Sequence, residues 1–320
     1  MRVFVAGATG AIGQHLVPML TAAGHDVTAT TRSPGKAGLI RQLGATPAVV
    51  DGLDAGGVLA AVSQARPEVI IHEMTSLSAL RDFRNFDKGF AVTNQLRTAG
   101  TDNLLAAATA AGTGRVIVQS YAGWPSAREG GPVKTEDDPL DPHPPAAMAE
   151  SLRAIRHAEQ AASGFPGGLV LRYGGLYGPG TGDSMLSPVR KRLMPVIGGG
   201  AGVWSFCQIE DAATATAAAV TRGAPGIYNI VDDDPAPVAE WLPFLASTLG
   251  ARPPLRVPAW LGRLLGGEAA VVMMTESRGS SNEKAKRELG WSPRYASWRA
   301  GFPAWTGASP AAGAVHGNAG

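Results

Sequence analysis

Short apolar runs alternate along this chain with longer segments whose apolar residues recur every three or four positions. Arg2-Val3-Phe4-Val5-Ala6 is almost wholly apolar and stops at a glycine, the pattern of a strand buried on both faces. From residue 7 to 24 the spacing is helical, with Ile12, Leu16, Met19 and Leu20 on one side. Residues 27–31 predict a second strand, rich in β-branched side chains. A helix over 37–43, a strand at 47–50, a helix over 58–65 and a strand at 68–72 follow. A long helix is expected over 90–111, a strand at 115–119, a helix over 148–163 and a strand at 168–172. This rhythm predicts an α/β fold, a Rossmann-type doubly wound parallel sheet with helices on both faces.

Beyond Tyr177-Gly178-Pro179-Gly180 the rhythm loosens. Residues 204–209 and 227–231 read as strands with an alanine-rich helix between them. Residues 238–249 and 260–265 read as helices. The expected organisation is a cofactor domain at 1–180, with a return segment at about 204–231. A smaller C-terminal substrate lobe is expected from 181–203 and 232–306. Residues 307–320 are small and lack a periodic face, so a disordered tail is expected. There is no internal repeat.

Composition narrows the function. The 320 residues are 45% hydrophobic and 17% charged, which is globular rather than disordered. A formal charge of +2 gives no reason to expect nucleic acid as a partner. The one basic cluster, Arg190-Lys191-Arg192, reads as a solvated helix face. The single cysteine, Cys207, excludes an internal disulfide and a thiolate zinc site, and reads as a small buried residue. No metal site is expected. No apolar run is long enough to span a bilayer, and the first strand begins at Arg2, so neither a membrane segment nor a signal peptide is expected. A cytoplasmic enzyme of a small molecule, monomeric or homodimeric, fits these bounds.

Gly7-Ala8-Thr9-Gly10-Ala11-Ile12-Gly13 joins the first strand to the first helix. Such a turn offers backbone N–H groups at a helix N-terminus, and its missing side chains let a pyrophosphate approach. Gly7, Thr9, Gly10, Ala11, Ile12 and Gly13 are therefore candidate cofactor-binding residues. The spacing Gly-x-x-Gly-x-x-Gly resembles the short-chain dehydrogenase/reductase superfamily. Further segments resemble its extended branch: Gly100-Thr101-Asp102-Asn103-Leu104-Leu105, Leu171 to Gly180, Ile209-Glu210-Asp211-Ala212-Ala213 and Lys286 to Pro293. Together they resemble the NAD(P)-dependent epimerase/dehydratase family over about residues 1–305. The resemblance implies that Asp51-Gly52 forms the turn that holds adenine, and that His72 closes the fourth strand beside the cofactor.

The end of the second strand selects the cofactor. The family's NAD-preferring members carry an acid there, whereas this chain has Thr31-Arg32-Ser33 with Lys36 close behind. A guanidinium binds a 2′-phosphate that a carboxylate would repel, so NADP(H) is expected, held by Arg32, Ser33 and Lys36. The alternative is that Arg32 stacks on adenine and both cofactors bind.

The resemblance fails at the chemistry. The superfamily acts through a Ser or Thr after the fifth strand and a Tyr-x-x-x-Lys pair on the next helix. Here Ser151 stands for the tyrosine and Ile155 for the lysine. Arg97 replaces the family's Asn before Gly-Thr, and Asn94 lies one turn earlier. At the carboxyl end of the fifth strand, Tyr121 is a candidate proton donor or an aromatic wall. Ser120 is a candidate to orient a carbonyl, or bonds the backbone. Glu73 is a candidate general base if burial raises its pKa; otherwise it is a solvated or paired carboxylate. Tyr173 is expected near the nicotinamide or substrate, and Arg172 as an internal strut. The expected function is an NADP(H)-dependent oxidoreductase that reduces a small C=O, C=C or C=N group at a non-standard active site. An epimerase or dehydratase that keeps its cofactor, and a non-catalytic NADP-binding sensor, remain open.

Overall fold

The computed structural model describes residues 1–76 and 83–308. Most of the expected tail, from 309 on, lies outside the described residues. Seven parallel strands form the central sheet: β1 (Arg2–Ala6), β2 (Asp26–Thr31), β3 (Thr46–Val49), β4 (Val69–His72), β5 (Arg115–Tyr121), β6 (Gly168–Tyr173) and β7 (Gly226–Ile230). Their spatial order is β7-β6-β5-β4-β1-β2-β3. β1 therefore pairs with both β2 and β4, and the chain leaves it in one direction and later resumes in the other. Such a reversal opens a crevice at the carboxyl ends of the strands, where open α/β sheets bind ligands.

Apolar runs become strands here because both faces are covered. Val3 to Ala6, Val69 to Ile71 and Leu169 to Leu171 are all at most 1% exposed. One face carries helix α1 (Ala11–Ala22) and a later helix, Ile209–Ala219. The other carries α2 (Ala55–Ala65), α3 (Thr101–Ala111) and α4 (Ala149–Gly164). The alanines of Ile209–Ala219 let it lie close against α1, with Ala212, Ala215 and Ala219 fully buried.

The expected helix over 90–111 is interrupted. Ala91–Gln95 passes through a π-helical turn, Leu96–Gly100, before α3 begins. A π-turn inserts one residue into the helix and re-aims side chains, and such turns gather at functional sites. The expected strand at 204–209 is two strands with Ser205 between them. Val203–Trp204 pairs with Ala236–Pro237, and Phe206–Gln208 pairs with Gly175–Tyr177. The Gln208 side chain then caps Ile209–Ala219 by accepting from the N–H groups of Glu210 and Asp211.

A second core stands beside the sheet. Tyr177, Phe206, Trp241, Trp298 and Phe302 are each at most 1% exposed and pack ring against ring, with Tyr177 and Phe302 edge to face at 5.1 Å between centroids. Helices Val238–Thr248, Ala259–Thr275 and Trp298–Thr306 surround them. Cys207 is buried with a free thiol that burial pushes well above its usual pKa. Among the described residues, no helix is long and apolar enough to cross a membrane.

Candidate active site

The crevice is a cavity of about 570 Å³ between the β1 turn, the end of β2 and the loop after Gly178. Gly7, Thr9, Gly10 and Ala11 line it. Gly7 takes φ +95°, and a Cβ there would sit 2.6 Å from the backbone of Glu73, so only glycine lets β1 turn against the end of β4. Gly13 meets the backbone of Ala8 with equal closeness, 2.5 Å from a built Cβ, which seats α1 on the turn. Gly10 caps α1 with no side-chain hydrogen bond, and the first turn of α1 holds no acid. Its open N–H groups suit a pyrophosphate.

Arg32, Ser33 and Lys36 line the same cavity, with Thr30 and Thr31 beneath them. Arg32 and Lys36 are exposed, and among the described residues neither forms a salt bridge. Asp51 and Gly52 form the opposite wall. Asp51 holds its own turn by accepting from Leu53 N–H at 3.0 Å, and Asn103 donates to the Gly52 carbonyl at 3.0 Å. The Asn of the Gly-Thr-x-Asn segment thus fixes this turn from α3.

Four expected cofactor contacts are placed elsewhere. His72 is 1% exposed and does not line the cavity. Its Nε2 meets the Leu96 carbonyl at 3.1 Å and its Nδ1 accepts from Met74 N–H at 3.2 Å, which selects the neutral Nε2–H tautomer. Burial pushes its pKa down to about 4. The ring ties the π-turn to β4 instead of touching the crevice. Ile12 and Gly13 face the helix–sheet core. Tyr173 is 2% exposed, with its hydroxyl 2.7 Å from Glu73 Oε1 and 2.6 Å from Thr216 Oγ1, so its ring belongs to the core.

The three candidate catalytic residues do not converge. Glu73 lines the cavity while 95% buried, and its Oε2 has no hydrogen-bond partner. Burial pushes its pKa up to about 8, so it is protonated at neutral pH and is a poor base there. Ser120 donates to Glu159 Oε1 at 2.6 Å. The same carboxylate receives Arg172 through a two-point fork at 2.8 and 2.7 Å, which makes Arg172 the internal strut expected of it. Tyr121 lines a separate narrow cleft with Gly123, Trp124, Trp204, Met273 and Ser277. Burial pushes its hydroxyl up to about 12 against the lowering influence of the Arg97 charge.

The positions of the missing pair are filled structurally. Ser151 is fully buried, donates to Asp87 at 2.6 Å and accepts from Asn94 Nδ2 at 3.1 Å. Asp87 also accepts from the N–H groups of Glu150 and Ser151, and so caps α4 from outside it. Ile155 is 1% exposed among Phe86, Trp124, Leu152 and Met273. The role of Asp87 was not visible in sequence, because it depends on which side chains meet in space. Residues 180–184, which run from a turn into the helix Asp183–Arg190 and line one side of the cavity, also went unassigned. Their signal was the glycine pair flanking Thr181.

Residues 3–231 match the NAD dependent epimerase/dehydratase family. The chain belongs to that family. Over 308 residues it is 45% identical to a 3-diazoavenalumate denitrifying reductase from a Streptomyces species, covering 94% of this chain and 99% of that protein. A 4-hydroxy-2-methyl-3-oxo-4-farnesyl-3,4-dihydroquinoline-1-oxide ketoreductase from Stigmatella aurantiaca is 27% identical, covering 97% and 99%. A human epimerase family protein crystallised with NADPH shares the fold with a TM-score of 0.72 at 22% identity, covering 96% and 98%. Family membership and the two reductases support an NAD(P)-dependent oxidoreductase. The crevice fits a nicotinamide dinucleotide: open N–H groups for the pyrophosphate, an ordered turn at Asp51-Gly52, and cations at the end of β2.

Proposed function

We propose that this epimerase/dehydratase family member is an NADPH-dependent reductase whose acceptor is the diazo group of a small aromatic compound. The observation that carries this reading is the buried, structural state of Ser151 and Ile155 in a chain 45% identical to a denitrifying reductase. Reducing a carbonyl takes a hydride and a proton, and the family's Tyr–Lys pair supplies the proton. Reducing an aryl diazonium takes a hydride alone. A bound nicotinamide would supply that hydride; the C–N bond would break, dinitrogen would leave, and the arene would gain one hydrogen. Charge balances without a proton donor, so nothing is lost with the pair.

NADPH is favoured over NADH by Arg32 and Lys36, two unpaired cations on the cavity wall. In this reading the cofactor occupies the domain of residues 1–180 with its return segment 204–231, and the lobe of 181–203 and 232–306 takes substrate. Gly7, Thr9, Gly10 and Ala11 hold the pyrophosphate, and Asp51 and Gly52 hold adenine. When bound, the cofactor supplies hydride. The chain orients it, excludes water from the crevice and holds Glu73 uncharged beside it.

A second reading, carbonyl reduction with Tyr121 as proton donor, is favoured by the protonated Tyr121 hydroxyl at the end of β5. One experiment separates them. The protein is mixed with NADPH and either a benzenediazonium salt or a panel of ketones, while nicotinamide absorbance and dinitrogen are followed. Deuteride from labelled NADPH should appear on the arene carbon. Turnover on ketones alone supports the second reading. NADPH binding without net consumption on any acceptor points to a cofactor-retaining epimerase or a sensor and overturns the proposal.

A further inference from the structure

Among the described residues, no carboxylate pairs with the guanidinium of Arg97. It lies in the π-turn Leu96–Gly100 and is 8% exposed. Its Nε and Nη1 are buried with no hydrogen-bond partner, and among the described residues it joins no salt bridge. Glu159 is the carboxylate whose charge it feels, but both Glu159 oxygens are already engaged by Arg172 and Ser120. Tyr121, protonated at neutral pH, is the other titratable group coupled to it. The guanidinium also sits 5.7 Å from the centroid of the Phe90 ring. Burial brings its pKa down only to about 10, so it keeps its charge at neutral pH.

A buried, unpartnered guanidinium is costly to the fold unless an anion completes it. The planar fork matches two oxygens of a carboxylate or a phosphate, and the apolar aromatic surroundings suit the carboxylate of an aromatic acid. A buried aromatic cluster adjoins the guanidinium: Phe86 lies 4.6 Å from Phe90 and 5.3 Å from Trp124, and Tyr121 lies 6.4 Å from Trp124, at the narrow cleft that Tyr121 and Trp124 line. We propose that Arg97 is a specificity-determining residue that pairs with the carboxylate of a small aromatic acid and so orients the substrate toward the nicotinamide. This rests on the reductase reading and names its substrate class.

The test uses full-length protein saturated with NADP⁺ and two probes, cinnamate and its methyl ester, titrated by calorimetry. The parent should bind the acid at least about tenfold more tightly than the ester, as one charged hydrogen bond supplies. Arg97→Gln should abolish that preference while NADPH affinity stays at the parent value. Arg97→Lys, which keeps the charge and loses the fork, should restore part of it. Equal binding of acid and ester by the parent overturns the proposal without recourse to any variant. A preference that survives in Arg97→Gln overturns it too. Both measurements are equilibrium ones, so they stand apart from the reductase reading, whose failure appears as absent NADPH oxidation.

Discussion

The Tyr173 hydroxyl donates to Oε1 of Glu73 at 2.7 Å, a hydrogen bond that lowers the pKa of the carboxyl while burial raises it. The hydroxyl is also 2.6 Å from Thr216 Oγ1, which in turn is 2.7 Å from the Ala212 carbonyl. The Tyr173 hydroxyl donates to the carboxyl and so favours its charged form, but burial outweighs that donation and keeps the carboxyl neutral at pH 7, with Oε2 buried and without a hydrogen-bond partner.

The pH dependence follows from this. Glu73 is raised from 4.5 to about 8 in the folded state. Between those values the unfolded chain releases the proton and the folded chain keeps it. Glu73 thus lowers stability progressively as pH rises through that window, and has no effect below it. Glu73→Gln cannot ionise. It should gain on the parent from about pH 5 upward, by a few kcal/mol near pH 8. Urea unfolding at several pH values checks this, and parallel curves for the two proteins would mean that the folded carboxyl is already ionised. NADPH affinity should also fall above about pH 8 in the parent and not in the variant, because an ionised Glu73 repels the cofactor's phosphates.

Arg32 is expected to discriminate between cofactors. It is exposed on the cavity wall and among the described residues has no carboxylate partner, so a 2′-phosphate meets no competitor. A charged hydrogen bond contributes roughly 1.5–3 kcal/mol. Arg32→Ala should weaken NADPH about tenfold or more and leave NADH nearly unchanged. Equal losses in a calorimetric titration of both would assign Arg32 to adenine stacking.

Glu159 should matter for stability far more than its distance from the crevice suggests. Its carboxylate and the Arg172 guanidinium are 6% and 7% exposed. Glu159→Gln leaves Arg172 buried without its counter-charge, at a cost of roughly 3–5 kcal/mol. Ser120→Ala removes one donor to that carboxylate and should cost about 1–2 kcal/mol while kcat stays at the parent value. A hundredfold fall in kcat for Ser120→Ala, with the fold intact, would return Ser120 to the chemistry.

The sheet was legible in sequence because parallel strands covered on both faces read as unbroken apolar runs, as at Val3 to Ala6 and Val69 to Ile71. The cofactor wall was legible because Gly7 and Gly10 work through their missing side chains, which spacing records. The active site was less legible. Ser120 and Tyr121 are neighbours on β5, yet their side chains point to opposite faces, so one joins Glu159 and the other the aromatic cleft. His72 and Glu73 divide in the same way at the end of β4, and only Glu73 reaches the cavity. Strand alternation could have separated these pairs from sequence. The π-turn that carries Arg97 could not have been foreseen, because the apolar spacing of residues 90–111 suits an unbroken helix equally well.

Tyr121 decides between the two chemistries. Its hydroxyl, pushed up to about 12, stays protonated across the working range, so it can give a proton and cannot readily take one. Tyr121→Phe keeps the ring against Trp124 and removes only that proton. A proton donor contributes ~10²–10⁴-fold to a carbonyl reduction. Hydride transfer to an aryl diazonium gains nothing from it, because the leaving group is dinitrogen and the product carries no new O–H or N–H. With a diazonium acceptor, Tyr121→Phe should therefore turn over within about twofold of the parent, on the reasoning that no bond to the lost proton forms in the transition state. Any ketone the parent reduces should slow by the full proton-donor factor. A hundredfold loss on the diazonium, with NADPH affinity unchanged, would place a proton in its transition state and remove the argument that ties the missing Tyr–Lys pair to this substrate.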